Sequence, residues 1–192
     1  MMRGMNPLDE FDRAAAAVTG IVSAVEPGQL ELPTACTEWS VGDVIAHLLY
    51  GNVRAVAFAS GSPPPDQVPL GDDHVAAFER SVREVRAALS EPGLLERTVQ
   101  TPFGPSPGVL LVHMRRNEFL AHGWDIADAT GQSTDFEPEL VERAIAQWRE
   151  RADSVPRGPG APFAAEKSPP PGASAADRLA ALLGRESVRG GR

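Results

Sequence analysis

The chain has 192 residues, with 18 basic and 26 acidic side chains and a formal net charge of −8. That length fits one domain, or one domain with a trailing segment, and it buries a core without disulfide staples. The single cysteine, Cys36, excludes an internal disulfide and a multi-cysteine zinc site, and a lone thiol fits a reducing cytoplasm. An acidic chain with no Lys/Arg cluster is a poor partner for phosphate backbones or anionic lipid, so neither nucleic acid nor membrane is an expected partner. The start, MMRGMNPLDEFDR, lacks the apolar stretch of a secretory signal, and no run reaches the roughly 18 apolar residues of a membrane span.

In chain order, the first predicted helix runs from Pro7 to Val25. Asn6 is its cap, Pro7 takes the first helical position, and Leu8, Phe11, Ala15, Val18, Val22 and Val25 recur at helical spacing. The second runs from Val41 to Phe58, opened by a capping box between Ser40 and Asp43 and closed by the run from Ser60 to Pro65. The third follows Asp72 and Asp73, from His74 to Leu89, and stops at Pro92-Gly93. Residues 94–106 read as irregular, briefly extended over Arg97–Thr101.

The fourth predicted helix takes Ser106 as cap and Pro107 as first residue, and closes at Gly131. The fifth runs from Pro138 to Val155. Residues 156–173 are rich in proline and glycine and read as a wrap around the core. A short helix, Ala175–Leu183, follows under a Ser174 cap, and the final ESVRGGR is expected to fray. Strand signals are nearly absent. The expected class is all-α: an up-down-up-down four-helix bundle with the proline-rich wrap and one short extra helix. The long 61–73 and 91–106 segments are expected as loops at its ends.

The residues that carry chemistry are His47 on the second helix and Glu118 with His122 on the fourth. Glu118 and His122 stand four apart, so they share a helix face, and Asp125 continues that stripe. Leu111, Met114, Phe119, Ile126 and Ala129 flank it. Burying such groups without partners costs several kcal/mol each. A divalent metal would neutralise them: imidazole and carboxylate suit zinc, nickel, cobalt or iron at about 2.0–2.2 Å. A facing helix would supply the third ligand, and mid-helix His47 is the best candidate. Three protein ligands would leave one position for water or substrate. The same spacing also serves a surface pair supporting a helix, or core histidines held by a carboxylate or carbonyl. His74 and His113 look ordinary.

Three windows resemble a known family. Residues 33–48, PTACTEWSVGDVIAHL, are similar to the segment P-T-x-C-x-x-W-x-V-x-x-L-x-x-H-L of the actinobacterial mycothiol-dependent maleylpyruvate isomerase-like proteins, which are DinB/YfiT-like four-helix bundles. Residues 118–131, EFLAHGWDIADATG, resemble that family's E-x-x-x-H-G-W-D-L-A-x-A-T-G, and residues 177–185, DRLAALLGR, its C-terminal D-R-L-x-x-x-L-G-R. The resemblance places the family's metal ligands on His47, Glu118 and His122, with zinc as the usual ion. It implies a small-molecule substrate or thiol, with mycothiol as the thiol cofactor. The family's isomerase has a further C-terminal domain that supplies thiol-binding and catalytic basic residues. This sequence stops at Arg192, so metal binding carries over further than isomerisation of maleylpyruvate.

Asp43, one turn before His47, either orients that ring or only completes the capping box. Asp125 either orients His122, accepts a proton near bound water, or bonds a neighbouring helix. Arg115 either pairs with Glu118, binds an anionic substrate, or is solvated. Cys36 is read as a packing residue. Trp39 and Trp124 are core anchors, or line the pocket mouth. The expected whole is a metal-binding bundle over residues 1–155, with residues 156–192 packed on the same domain. Its expected function is that of a cytoplasmic, divalent-metal-dependent enzyme. A thiol transferase or thiol-dependent isomerase fits best, and a hydrolase is also open. The competing expectation is a non-catalytic metal-containing binding module or stress-response scaffold. Bundles of this type often pair, which leaves a homodimer open without deciding the oligomeric state.

Overall fold

The computed structural model describes residues 6–150, 157–158 and 164–189. Helix α1 (Pro7–Ser23) starts where the Asn6 side chain accepts a hydrogen bond from the Leu8 amide at 3.0 Å, with Asp9 and Glu10 at the positive end of the helix dipole. Helix α2 (Val41–Ser60) opens on the expected reciprocal box. Ser40 Oγ accepts from the Asp43 amide, and the Asp43 carboxylate accepts from the Ser40 amide. Helix α3 (His74–Leu89) is capped by Asp73. Helices α4 (Val109–Thr130), α5 (Pro138–Glu150) and α6 (Ala175–Leu182) complete the set. The expected end of the fifth helix, at Val155, lies outside the described residues.

Helices α1–α4 form the bundle, with α1 packed on α4 and α3, and α2 packed on α3 and α4. Phe11, Phe78 and Phe119 meet at its centre, with ring centroids 5.6 and 6.1 Å apart about Phe119. Each is wholly buried, which stabilises the fold by about 1.5–3 kcal/mol per side chain. Helix α4 is enclosed on nearly every side, and it takes polar groups inward as well: Arg115, Arg116, His122, Asp125 and Asp128 are all buried. Each of those needs a partner, and the partners organise the molecule. Helix α6 packs outside, on α5 and α4.

The all-α class stands, but the helices do not alternate in direction. The Gln132 amide reaches the Ile21 carbonyl at one end, and Glu10 meets Arg116 towards the other, so α1 and α4 run together. Arg97, just after α3, reaches the Ala59 carbonyl near the end of α2, so α2 and α3 finish at the same end. The order is therefore up-down-down-up. It is possible because residues 61–73 run back along α2 instead of turning at its end, and the Tyr50 hydroxyl donates to the Pro65 carbonyl at 3.1 Å on the way. Thirteen residues with four prolines, at about 3.1 Å each, span the roughly 30 Å of a 20-residue helix.

Two further expectations change. Ser106 and Pro107 do not start α4. They belong to an antiparallel hairpin, β1 (Thr98–Thr101) with β2 (Gly104–Pro107), in which Thr98 faces Pro107. Helix α4 instead begins after Gly108, where a side chain would overlap the Leu94 carbonyl. The stretch expected to fray is held over residues 186–189, and residues 190–192 lie outside the described residues. Ser187, Val188 and Arg189 bond to Asp128, and Arg189 also to the Ala127 carbonyl. No described helix is long and apolar enough to cross a membrane.

Candidate metal centre

Helices α2 and α4 run antiparallel, and that crossing brings His47 opposite Glu118 and His122. The Glu118 carboxylate oxygen Oε2 lies 2.9 Å from His47 Nε2 and 3.4 Å from His122 Nε2. One ligand atom from each residue lies within 4.8 Å of the other two. In a tetrahedral site with bonds near 2.0–2.1 Å, neighbouring ligand atoms stand about 3.3 Å apart, so this donor set suits a divalent ion of zinc type. The two imidazole rings meet edge to face at 4.9 Å.

The electrostatics follow from burial and pairing. Burial pushes the Glu118 carboxyl up, but hydrogen bonds from His122 and His47, with the charges of His122 and Arg115, hold it well below the usual carboxylate range. Burial pulls the His122 imidazole down, and bonds to Asp125 and Glu118 more than offset this, so the ring holds its proton more tightly than usual. Asp125 itself is wholly buried. Its Oδ2 lies 2.8 Å from His122 Nδ1 and its Oδ1 accepts from Arg185 Nε at 2.7 Å. Asp125 thus contacts both His122 and the segment after α6.

The loop before α2 roofs the centre. Thr34 bonds the Trp39 carbonyl through both its amide and its hydroxyl, and Glu38 takes a left-handed φ of 73°. This turns the Trp39 indole over the histidines, with centroids 4.7 Å from His47 and 6.0 Å from His122. The same loop carries Cys36 inward. Cys36 packs on the core as expected, yet its sulfur also lies within 4.8 Å of a ring nitrogen of His122 and a carboxylate oxygen of Asp125. Burial, with the negative charges of Asp125 and Glu118, pushes its thiol up.

Asp43 serves the cap: its carboxylate is taken by Ser40, not by His47. Arg115 is neither solvated nor in direct contact with Glu118. It is buried, donates to the Asn52 side chain and the Leu48 carbonyl at 3.0 Å each, and lies over Phe119. It fits there because Gly51 opposite has no side chain. Burial, together with the charge of Arg54, pulls its pKa down to about 10 against the upward pull of Glu118. Trp124 is an anchor, donating to Asp177 on α6 at 2.8 Å. Arg185 carried no assigned role in the sequence, because nothing in the sequence links it to a residue 60 positions away.

A groove of about 230 Å³ leads outward from His47 and Glu118 between Tyr50, Arg54 and Arg115, with Phe103 at the tip of the hairpin on its rim. Phe103 is 78% exposed. A larger cleft of about 500 Å³ lies between α4 and α6, but its charged groups are paired: Asp177 with Trp124, Arg189 with Asp128, Arg185 with Asp125 and Lys167 with Glu186.

The sequence model of the mycothiol maleylpyruvate isomerase N-terminal domain matches residues 11–127, which include all three residues of the centre. The chain belongs to this family. Two uncharacterised proteins of Mycobacterium tuberculosis, from strains CDC 1551 / Oshkosh and ATCC 25618 / H37Rv, are each 38% identical over 181 residues, covering 94% of this chain and 98% of the relative. The crystal structure of the mycothiol-dependent maleylpyruvate isomerase shares the fold, with a TM-score of 0.60 at 15% identity over 79% of this chain and 72% of that one. This member of the mycothiol maleylpyruvate isomerase N-terminal domain family thus keeps the bundle that carries His47, Glu118 and His122.

Proposed function

We propose that this protein holds a divalent ion, zinc by its donor set, on His47, Glu118 and His122, and uses it with a small thiol such as mycothiol in a transferase or isomerase reaction on a small molecule. The observation that carries this is the convergence of two imidazole nitrogens and one carboxylate oxygen at the floor of an open groove. An ion bound there would bring a coordinated thiol or water towards neutral pKa, supplying a nucleophile or base near pH 7. The chain's own groups do the rest. Asp125 accepts a hydrogen bond from the Nδ1–H of His122, which would leave the Nε2 lone pair free for the ion. Trp39 shields the imidazoles from water on one side. Arg115 and Arg54 place positive charge along the groove, which favours a substrate or thiol carrying an anionic group. The family match supports mycothiol as the thiol.

The test is a thiol-consumption assay on zinc-loaded protein with mycothiol and a panel of small electrophiles, including cis-alkene diacids as isomerisation substrates. Turnover lost in His122→Ala and on treatment with a chelator supports the proposal. Zinc-loaded protein that turns over none of them, or turnover that survives chelation, contradicts it and favours a scaffold role for the ion.

A further inference from the structure

Helix α4 carries two buried aspartates three residues apart, Asp125 and Asp128, and both are engaged by the segment that follows α6. They are engaged differently. Asp128 is met by Ser187 Oγ at 2.7 Å, by the Val188 amide at 2.8 Å and by Arg189. That contact ties the segment down and touches nothing in the metal centre. Asp125 is met by Arg185 Nε at 2.7 Å on one oxygen, while its other oxygen lies 2.8 Å from His122 Nδ1.

The Arg185 contact is built into the fold. Gly184 takes a φ of 81°, and a side chain there would come within 2.7–2.8 Å of Ala164. The Arg185 amide closes on the Ala180 carbonyl at 2.9 Å, turning the guanidinium back onto α4. The Arg185 side chain is 10% exposed and that of Asp125 is fully buried.

A carboxylate held only by an imidazole is free to rotate about its own axis and to meet the ring at several angles. A second donor fixed on the opposite oxygen pins its plane. The accepting lone pair is then aimed at Nδ1, and the far nitrogen of the ring is aimed at Glu118 and His47. Partners of this kind, one bond beyond a ligand, typically change metal affinity 10–100-fold. We propose that Arg185, from the C-terminal segment, is a positioning residue of the metal centre, acting through Asp125 on His122. This role rests on the metal reading above. It makes docking of the C-terminal segment part of the assembly of the metal site.

The test compares Arg185→Gln, Arg185→Lys and, as control, Arg189→Gln, which loosens the same segment without touching Asp125. Zinc affinity is measured by competition with a chromophoric chelator. The visible absorption of the cobalt-loaded protein reports ligand geometry, and urea unfolding reports stability. The expected result is zinc binding about 10–100-fold weaker in Arg185→Gln with altered cobalt bands, partial recovery in Arg185→Lys, and wild-type affinity in Arg189→Gln. Arg185→Gln that binds zinc as tightly as wild type, with unchanged cobalt bands, overturns the proposal. So does an equal loss of affinity in Arg189→Gln, which would reduce Arg185 to an anchor. Should Arg185→Gln fail to fold, Arg185→Lys alone decides: weaker binding supports the role and wild-type binding overturns it. A wild-type protein that takes up no divalent ion is a separate outcome, and it overturns the metal reading together with this one.

Discussion

Replacing Glu10 with Gln should unfold the bundle more readily than any surface charge change. Arg116 lies wholly inside α4, two residues before Glu118, and its side chain is 1% exposed. Glu10, 9% exposed, is its ion-pair partner, while Asn117 and Gln147 supply neutral acceptors. Removing one member of a buried pair costs about 3–5 kcal/mol, because the charge left behind is desolvated and unmatched. Glutamine keeps an amide oxygen in place and the neutral acceptors stay, so the cost should fall near the lower end, about 3 kcal/mol. Arg143, which also reaches Glu10 but is 35% exposed, can turn to water and adds little. At about 2–4 °C per kcal/mol for a chain of this size, Tm should drop by roughly 6–12 °C. Urea unfolding with an unchanged slope is the assay. The pair Glu10→Leu with Arg116→Met should recover most of the loss, since an apolar replacement of similar volume has no charge to bury. A loss below about 1 kcal/mol for Glu10→Gln, the range of an exposed pair, would mean that Arg116 does not depend on Glu10 for its charge balance.

Gly51→Ala should destabilise the protein although alanine favours helices, because its methyl group would overlap Arg115 Nη1 and stand 2.7 Å from Cζ. Freeing that space breaks bonds from the guanidinium to Asn52 and Leu48, at about 1.5–3 kcal/mol each, which outweighs about 1 kcal/mol of helix propensity. Urea unfolding of the variant checks the sign. Docking of α6 should be acid-labile through Asp177. Burial pushes that carboxyl up, but bonds from Trp124, Thr134 and Ser174 pull it lower still, so its folded pKa is depressed. Its contribution is whole above the unfolded value of about 3.9 and is lost as pH falls through the lower folded value. Asp177→Asn should remove that part of the pH dependence, followed by tryptophan fluorescence during acid titration.

Local signals were legible in the sequence, and distant pairings were not. Asn6-Pro7 and Ser40 with Asp43 fixed the starts of α1 and α2 because capping is decided within three residues. His47, Glu118 and His122 were legible from helical spacing together with the resemblance of two windows. The second strand was not, since Gly104–Pro107 has no strand composition and exists only by pairing with Thr98–Thr101. That pairing also moved the start of α4 from Pro107 to Val109. The parallel run of α2 and α3 was hidden because a proline-rich stretch reads equally well as an end loop or as a return strap. Cys36 and Arg185 reach the centre through loop conformations, a left-handed Glu38 and a left-handed Gly184, that helical periodicity does not encode.

Under the proposed function, three side chains from two helices share one ion. Elemental analysis of purified protein titrated with zinc, run beside His47→Ala, Glu118→Ala and His122→Ala, decides whether they do. One tightly held zinc per chain in the wild type, lost in each variant, is the predicted result. A wild-type protein that stays metal-free and indifferent to added ions, or a His47→Ala variant that keeps its full metal content, would contradict it.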